Sequence, residues 1–92
     1  MSKTIIFFKK EPGKKKFPII RSFNVPAEIT LPKNANTIKT SNISLDVSCK
    51  QEGYYRLTGE FKEFEGVNYL NVLMIMEIKD LEGAIASVIG SL

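Results

Sequence analysis

Cations and aromatic rings are interleaved near the start of the chain. Lys9, Lys10, Lys14, Lys15, Lys16 and Arg21 alternate with Phe7, Phe8, Phe17 and Phe23. A basic groove that tracks phosphates, with rings on which bases stack, is the chemistry of single-stranded nucleic-acid binding. Lys14, Lys15, Lys16 and Arg21 are expected to neutralise phosphates, with Lys9 and Lys10 beside them. Phe17 and Tyr69 are the expected stacking residues, and Tyr54 and Tyr55 are further candidates. The competing reading is a solvated loop beside core rings, because most phenylalanines of a small protein are buried.

Other chemistries find less support. The chain has no His, the commonest general base and metal ligand. Cys49 is the one cysteine, so it forms no internal disulfide and no cysteine metal site, and it reads as a small core residue. Glu60, Glu63 and Glu65 are clustered, and paired acids can act as general acid and base. Alternation puts Glu60 and Glu63 on opposite strand faces, however, and Glu65 falls in a turn. Phosphate-binding glycine loops, a nucleophile elbow and a zinc-protease motif are all missing. No catalytic residue, metal, cofactor or small-molecule substrate is therefore expected. The apolar start, Ile5 to Phe8, is too short for a signal peptide and runs into lysines. No run approaches a membrane span, so no membrane partner is expected. The single thiol fits a reducing compartment, and the expected location is cytoplasmic, that of the host cell if the chain is viral.

Charge is unevenly distributed. Residues 1–50 hold ten Lys/Arg against three acids, giving +7, and residues 51–92 hold three against seven, giving −4. One half can attract a polyanion while the other repels it.

These residues need elements to position them. Tyr54 to Lys79 reads as a long β-hairpin turning at Glu65-Gly66, a pair suited to a type I′ turn. Counting back from Phe64 opposite Val67, Phe61 faces Leu70, Gly59 faces Val72, Leu57 faces Met74 and Tyr55 faces Met76, one nearly apolar face. Lys62 with Tyr69, Glu60 with Asn71, Thr58 with Leu73 and Arg56 with Ile75 form the mixed face. Residues 3–10 and 17–24 read as strands joined by a turn at Glu11-Pro12-Gly13. The first is apolar without alternation, as for a strand buried on both faces or lying at a barrel seam. Pro18 belongs at the start or edge of the second. Residues 25–31 are ambiguous between a short strand and a connector, and 33–42 read as a polar, mobile surface loop. Ile43, Leu45, Val47 and Cys49 alternate with polar residues, which predicts a half-buried strand over 43–50. Asp80 is placed to cap a helix over about 81–90. Leu81, Ile85, Val88, Ile89 and Leu92 share its apolar face.

The run GEFKEFEGVNYLNVLMIMEI resembles the last two strands of an OB-fold, and the basic turn EPGKKKFP resembles the loop by which such barrels often contact nucleic acid. The nearest resemblance is to the small single-stranded-DNA-binding proteins of filamentous phages. The chain departs from the OB pattern in lacking a helix between its third and fourth strands, as the phage proteins do, and in having a C-terminal helix.

The expected fold is thus an all-β, OB-like antiparallel barrel of five or six strands in one domain over 1–92, closed by a short C-terminal helix. The expected partner is single-stranded nucleic acid, DNA before RNA, bound without strong sequence preference by a homodimer of phage or mobile-element type. The alternative is a protein-interaction or structural module that assembles through its C-terminal apolar segment.

Overall fold

The computed structural model describes residues 3–92. Four strands, β1 (Thr4–Lys10), β2 (Ile19–Phe23), β3 (Gly53–Phe64) and β4 (Val67–Ile78), form one open antiparallel sheet in the order β2-β1-β3-β4. β1 is central, which explains its unbroken apolar run. Ile6 and Phe8 face one core and Phe7 the other, all fully buried. A strand covered on both faces has no solvent side to mark by alternation.

The hairpin turn is as the sequence predicts. Glu65 and Gly66 have φ of 50° and 78°, the pair of positive values a type I′ turn requires. The predicted register holds from Phe64–Val67 through Lys62–Tyr69 to Gly59–Val72. It then slips by one residue. Thr58 opposes Met74, Leu57 opposes Ile75, Arg56 opposes Met76 and Tyr55 opposes Glu77. A β-bulge at Leu73 absorbs the extra residue. Its effect is to turn Ile75 towards Leu57 and the larger core.

The strand expected over 43–50 is not formed. Leu45–Ser48 is instead a single helical turn, α1, with Leu45 and Cys49 buried and Val47 exposed. The fold accordingly has four strands and an open sheet where five or six and a closed barrel were expected. The connector between β2 and β3 nonetheless reaches both sheet edges. The Ile19 amide donates to the Lys33 carbonyl at 2.9 Å, and the Ala35 amide to that of Phe17 at 2.7 Å. A 3-10 turn follows at Ala35–Thr37. The chain then runs beside β4, where the Leu70 amide donates to Lys39 and the Ser41 amide to Leu70, at 2.8 and 3.0 Å. The Asn42 side chain continues the ladder. Its Nδ2 donates to the Val72 carbonyl at 2.7 Å, and its Oδ1 accepts from the Val72 amide at 3.0 Å. Residues 33–42, expected as a mobile loop, are thus stitched to the sheet and cover its edges at Ile19 of β2 and at Leu70 and Val72 of β4.

Over the opposite face lies α2 (Leu81–Ser91), capped by the Asp80 carboxylate, whose Oδ1 accepts from the Gly83 amide at 3.1 Å. Leu81, Ala84, Ile85 and Val88 pack on Phe7, Phe23, Ile5 and Ile78. The helix therefore lies across a sheet face, where the barrel reading had it plug one end. Ile89 and Leu92, expected on its packed face, are 46% and 69% exposed. No described helix is long and apolar enough to cross a membrane.

Candidate functional site

The basic turn grows out of the end of β1. Pro12 and Gly13 form a type II-like turn in which the Lys14 amide donates to the Glu11 carbonyl at 3.3 Å and Gly13 has a φ of 68°. The turn is then clamped by a residue of the connector. Asn36 Oδ1 accepts from the Phe17 amide at 2.9 Å, and Asn36 Nδ2 donates to the Lys15 carbonyl at 3.0 Å. Lys14, Lys15 and Lys16 project from this held backbone and are exposed. An open cleft beside them is lined by Lys10, Lys14, Lys15, Phe17, Asn36 and Asp46.

Phe17 is not a stacking platform. It is 1% exposed, with its ring parallel to Phe8 at 5.8 Å, and Phe8 is stacked in turn on Tyr55 at 5.4 Å. The Lys10 ammonium lies 5.7 Å from the Phe17 ring centre. The expectation that Phe17 binds bases is therefore corrected: its buried ring ends a three-ring core stack and anchors the basic turn. Lys10 is also committed internally. Its Nζ donates to the carbonyls of Cys49 and Lys50 at 2.6 and 2.8 Å, tying β1 to the connector.

Lys9 and Arg21 lie on the sheet face that carries α2. The Lys9 ammonium is 5.5 Å from the centre of the half-buried Tyr54 ring, and the Arg21 guanidinium is 5.0 Å from that of Phe23. Cross-strand pairing of Lys9 with Tyr54 puts that ring at the same end of the sheet as the lysine turn. Tyr69 is not brought to it. It opposes Lys62 towards the far end of the hairpin, about 30 Å of strand from Gly53. The fold thus puts Lys9 and Arg21 on one sheet face and Lys14, Lys15 and Lys16 on the turn beyond the end of β1, commits Lys10 to backbone carbonyls, buries Phe17, and leaves Tyr69 apart.

Comparison with protein-family models, curated proteins and solved structures gives no match.

The charge asymmetry of the two sequence halves is partly undone in space. Glu60, Glu63 and Glu65 occupy the far part of the hairpin, but Glu77 opposes Tyr55, and Glu52 adjoins the Gly53–Lys10 pair. The basic end therefore carries acids too.

Beneath the turn, burial pushes the Cys49 thiol from its ordinary value of 9.0 up to about 11, with Lys10 opposing and Asp46 adding to the shift. Burial, then the charges of Cys49 and Glu77, also raise the Tyr55 hydroxyl. Above pH 9 the unfolded chain loses the thiol proton while the folded chain keeps it. Stability must then fall as pH rises from 9 towards 11. Denaturant midpoints should decline across that window, with Cys49 contributing about 2 kcal/mol. Cys49→Ala should start less stable at pH 7 and decline less steeply. A wild-type stability that is flat between pH 9 and 11 would contradict the burial of both groups.

Proposed function

We propose that this chain binds single-stranded nucleic acid with little sequence preference, through the Lys14–Lys16 turn. The observation that carries the reading is three consecutive solvent-exposed lysines on a backbone that Asn36 holds at the Lys15 carbonyl and the Phe17 amide. A pre-ordered cationic turn loses little conformational freedom when phosphates bind. Lys9 and Arg21 extend the basic surface along the sheet, and Tyr54 offers a ring at its margin for a base. Tyr69 would meet the nucleic acid only if the strand ran the length of the hairpin. The likeness of the basic turn to the nucleic-acid loop of OB-folds and filamentous-phage proteins supports the same reading. In this proposal the connector that bridges the sheet edges does the closing that a fifth strand does in those barrels.

A labelled oligonucleotide titrated at several salt concentrations tests this. Affinity should fall steeply with salt. Replacing Lys14, Lys15 and Lys16 together with Ala should make the slope of log K against log[salt] shallower by about 2, three contacts at about 0.7 each. No binding at low salt removes the proposal. An unchanged slope in the triple variant moves the interface away from this turn.

A second reading, a module that assembles with other proteins or with itself, has its own support. Leu73, Met74 and Met76 on β4, with Ile89 on α2 and Leu92 just beyond it, are exposed apolar side chains. Because α2 covers Phe7 and Phe23, removing the helix would strip a core. Ile89→Ser with Leu92→Ser is the better probe, read by sedimentation. Loss of assembly with oligonucleotide binding intact separates the two readings, and a wild type that sediments as a monomer removes the second.

A further inference from the structure

Two buried side-chain polar atoms among the described residues have no hydrogen-bond partner: Arg56 Nε and Thr58 Oγ1. They are next but one on β3, on the face that carries α2. Thr58 opposes Ile5 and Arg56 opposes Phe7, and Thr58 is only 8% exposed. Buried donors are almost always satisfied, and one that is charged is the costliest to leave alone. Arg56 lines a cleft of about 330 Å³ between the C-terminal half of α2 and the sheet. Lys3, Asn24, Ser87 and Ser91 line it as well, and no Asp or Glu side chain does. The volume is that of a small-ligand pocket.

We infer that this cleft binds a small organic anion, a phosphate monoester or a carboxylate on a compact apolar body. The head group is set by Arg56 and Lys3. A guanidinium presents its donors as a planar fork that fits an oxyanion in pairs. The Ser87 hydroxyl adds a donor, whereas the Ser91 hydroxyl is already spent on the Ser87 carbonyl at 2.9 Å. The rim is ordered. Asn24 holds a left-handed conformation, with φ of 57°, and its carbonyl accepts from the buried Thr4 hydroxyl at 2.9 Å. The apolar body is set by Ile5, Val88 and Leu92, which complete the lining. α2 ends here, so its last carbonyls bring partial negative charge. Two cations outweigh that charge by a margin suited to one small head group and too narrow for a polyanion. The site thus differs in place and ligand from the lysine turn, and neither depends on the other.

Phenyl phosphate and benzoate are the probes, with phenol as the neutral analogue and sodium chloride at matched ionic strength as the control. Either anion at millimolar concentration should raise the melting temperature of the full chain beyond the salt control, as any ligand specific to the folded state does. In ¹H–¹⁵N spectra it should move the Arg56 Nε–H resonance and the amides of Lys3, Asn24 and Ser87 to Leu92. Arg56→Gln should weaken the tighter probe at least about tenfold, the scale of a lost charge-assisted bond. Lys3→Gln, a change at an exposed residue that leaves the cores intact, should weaken it several-fold. The Lys14, Lys15 and Lys16 triple variant should bind as wild type. The tighter of the two probes identifies the head group. Shifts that map to the lysine turn, equal binding of phenol, or affinity unchanged in both Arg56→Gln and Lys3→Gln would each overturn the assignment.

Discussion

Gly59→Ala should lower the unfolding free energy by about 2–3 kcal/mol, as overpacking a tight core does, and the melting temperature by about 10–20 °C. In a strand Ala ordinarily improves on Gly, so the sign comes entirely from position. A Cβ at residue 59 would lie 2.7 Å from the Asn71 carbonyl oxygen and 2.9 Å from Leu70 Cδ1. The Leu70 side chain has little room, being fully buried in the larger core. The β4 backbone cannot retreat either, because residues 39–42 hold Leu70 and Val72 from the other side. Gly59 also begins the register shift, so strain there acts where the two strands change phase. Two other glycines calibrate the measurement. Gly90 has open space around its Cβ position in α2, so Gly90→Ala should gain about 0.5–1 kcal/mol of helix propensity. Gly66 is equally open but has φ of 78°, so its alanine variant should lose about 1–2 kcal/mol to backbone strain alone. A Gly59→Ala variant within the error of wild type would mean that β4 does not approach Gly59 this closely at Leu70 and Asn71.

The bulge at Leu73 also marks where the sequence stops informing the hairpin. Glu65-Gly66 fixes a turn, and the polar-apolar alternation on either side fixes the register for as long as it lasts. Beyond Val72 the run Leu73-Met74-Ile75-Met76 is apolar at every position. Such a run has no phase, so a one-residue slip leaves no trace in it. The failure at 43–50 has a related cause. Leu45 and Cys49 are four apart, which puts them on one side of a strand and also on one side of a helix. With so few residues, packing of both under the connector decides between the two. The continuous run in β1 was informative for the opposite reason, since burial on both faces is the meaning of having no phase.

The candidate site was legible in composition and not in arrangement. The exposure of Lys14, Lys15 and Lys16 follows from Pro12-Gly13 and the charge run itself. The internal role of Lys10 does not, because its acceptors are carbonyls about forty residues away in the chain. Nor does the clamp by Asn36, which joins residues 21 and 19 positions apart. An Asn inside KNANTIKTSN looks like any loop asparagine, and its amide is spent on a specific pair of backbone groups only once the connector has crossed the sheet. The separation of Tyr69 from the lysines has the same origin. It depends on β3 pairing with β1 along its first seven residues, a long-range choice that no local pattern announces.

Phe17→Ala should cost about 3–5 kcal/mol, as for other buried phenylalanines, against a total stability of about 5–15 kcal/mol for a domain of this kind. Denaturation curves will read that loss, but Phe17→Leu is the more telling variant. Leucine keeps much of the buried apolar volume and gives up the parallel contact with Phe8, at a cost of about 1–1.5 kcal/mol. The turn keeps its Asn36 clamp, because that clamp uses the backbone of residue 17. Folded Phe17→Leu protein should therefore bind an oligonucleotide within about twofold of wild type. A residue that stacks a base loses about 1–3 kcal/mol per base on truncation. Tyr54→Ala should show that pattern if its ring is the platform beside Lys9, with stability reduced less than affinity. The opposite result, in which Phe17→Leu loses binding and Tyr54→Ala keeps it, would require the Phe17 ring to leave its stack on Phe8 when nucleic acid binds. Opening that stack would expose Phe8 and weaken the carbonyl contacts of Lys10 beside it, so binding would then be accompanied by faster alkylation of Cys49. The thiol thus reports which ring the nucleic acid uses, whatever the affinity.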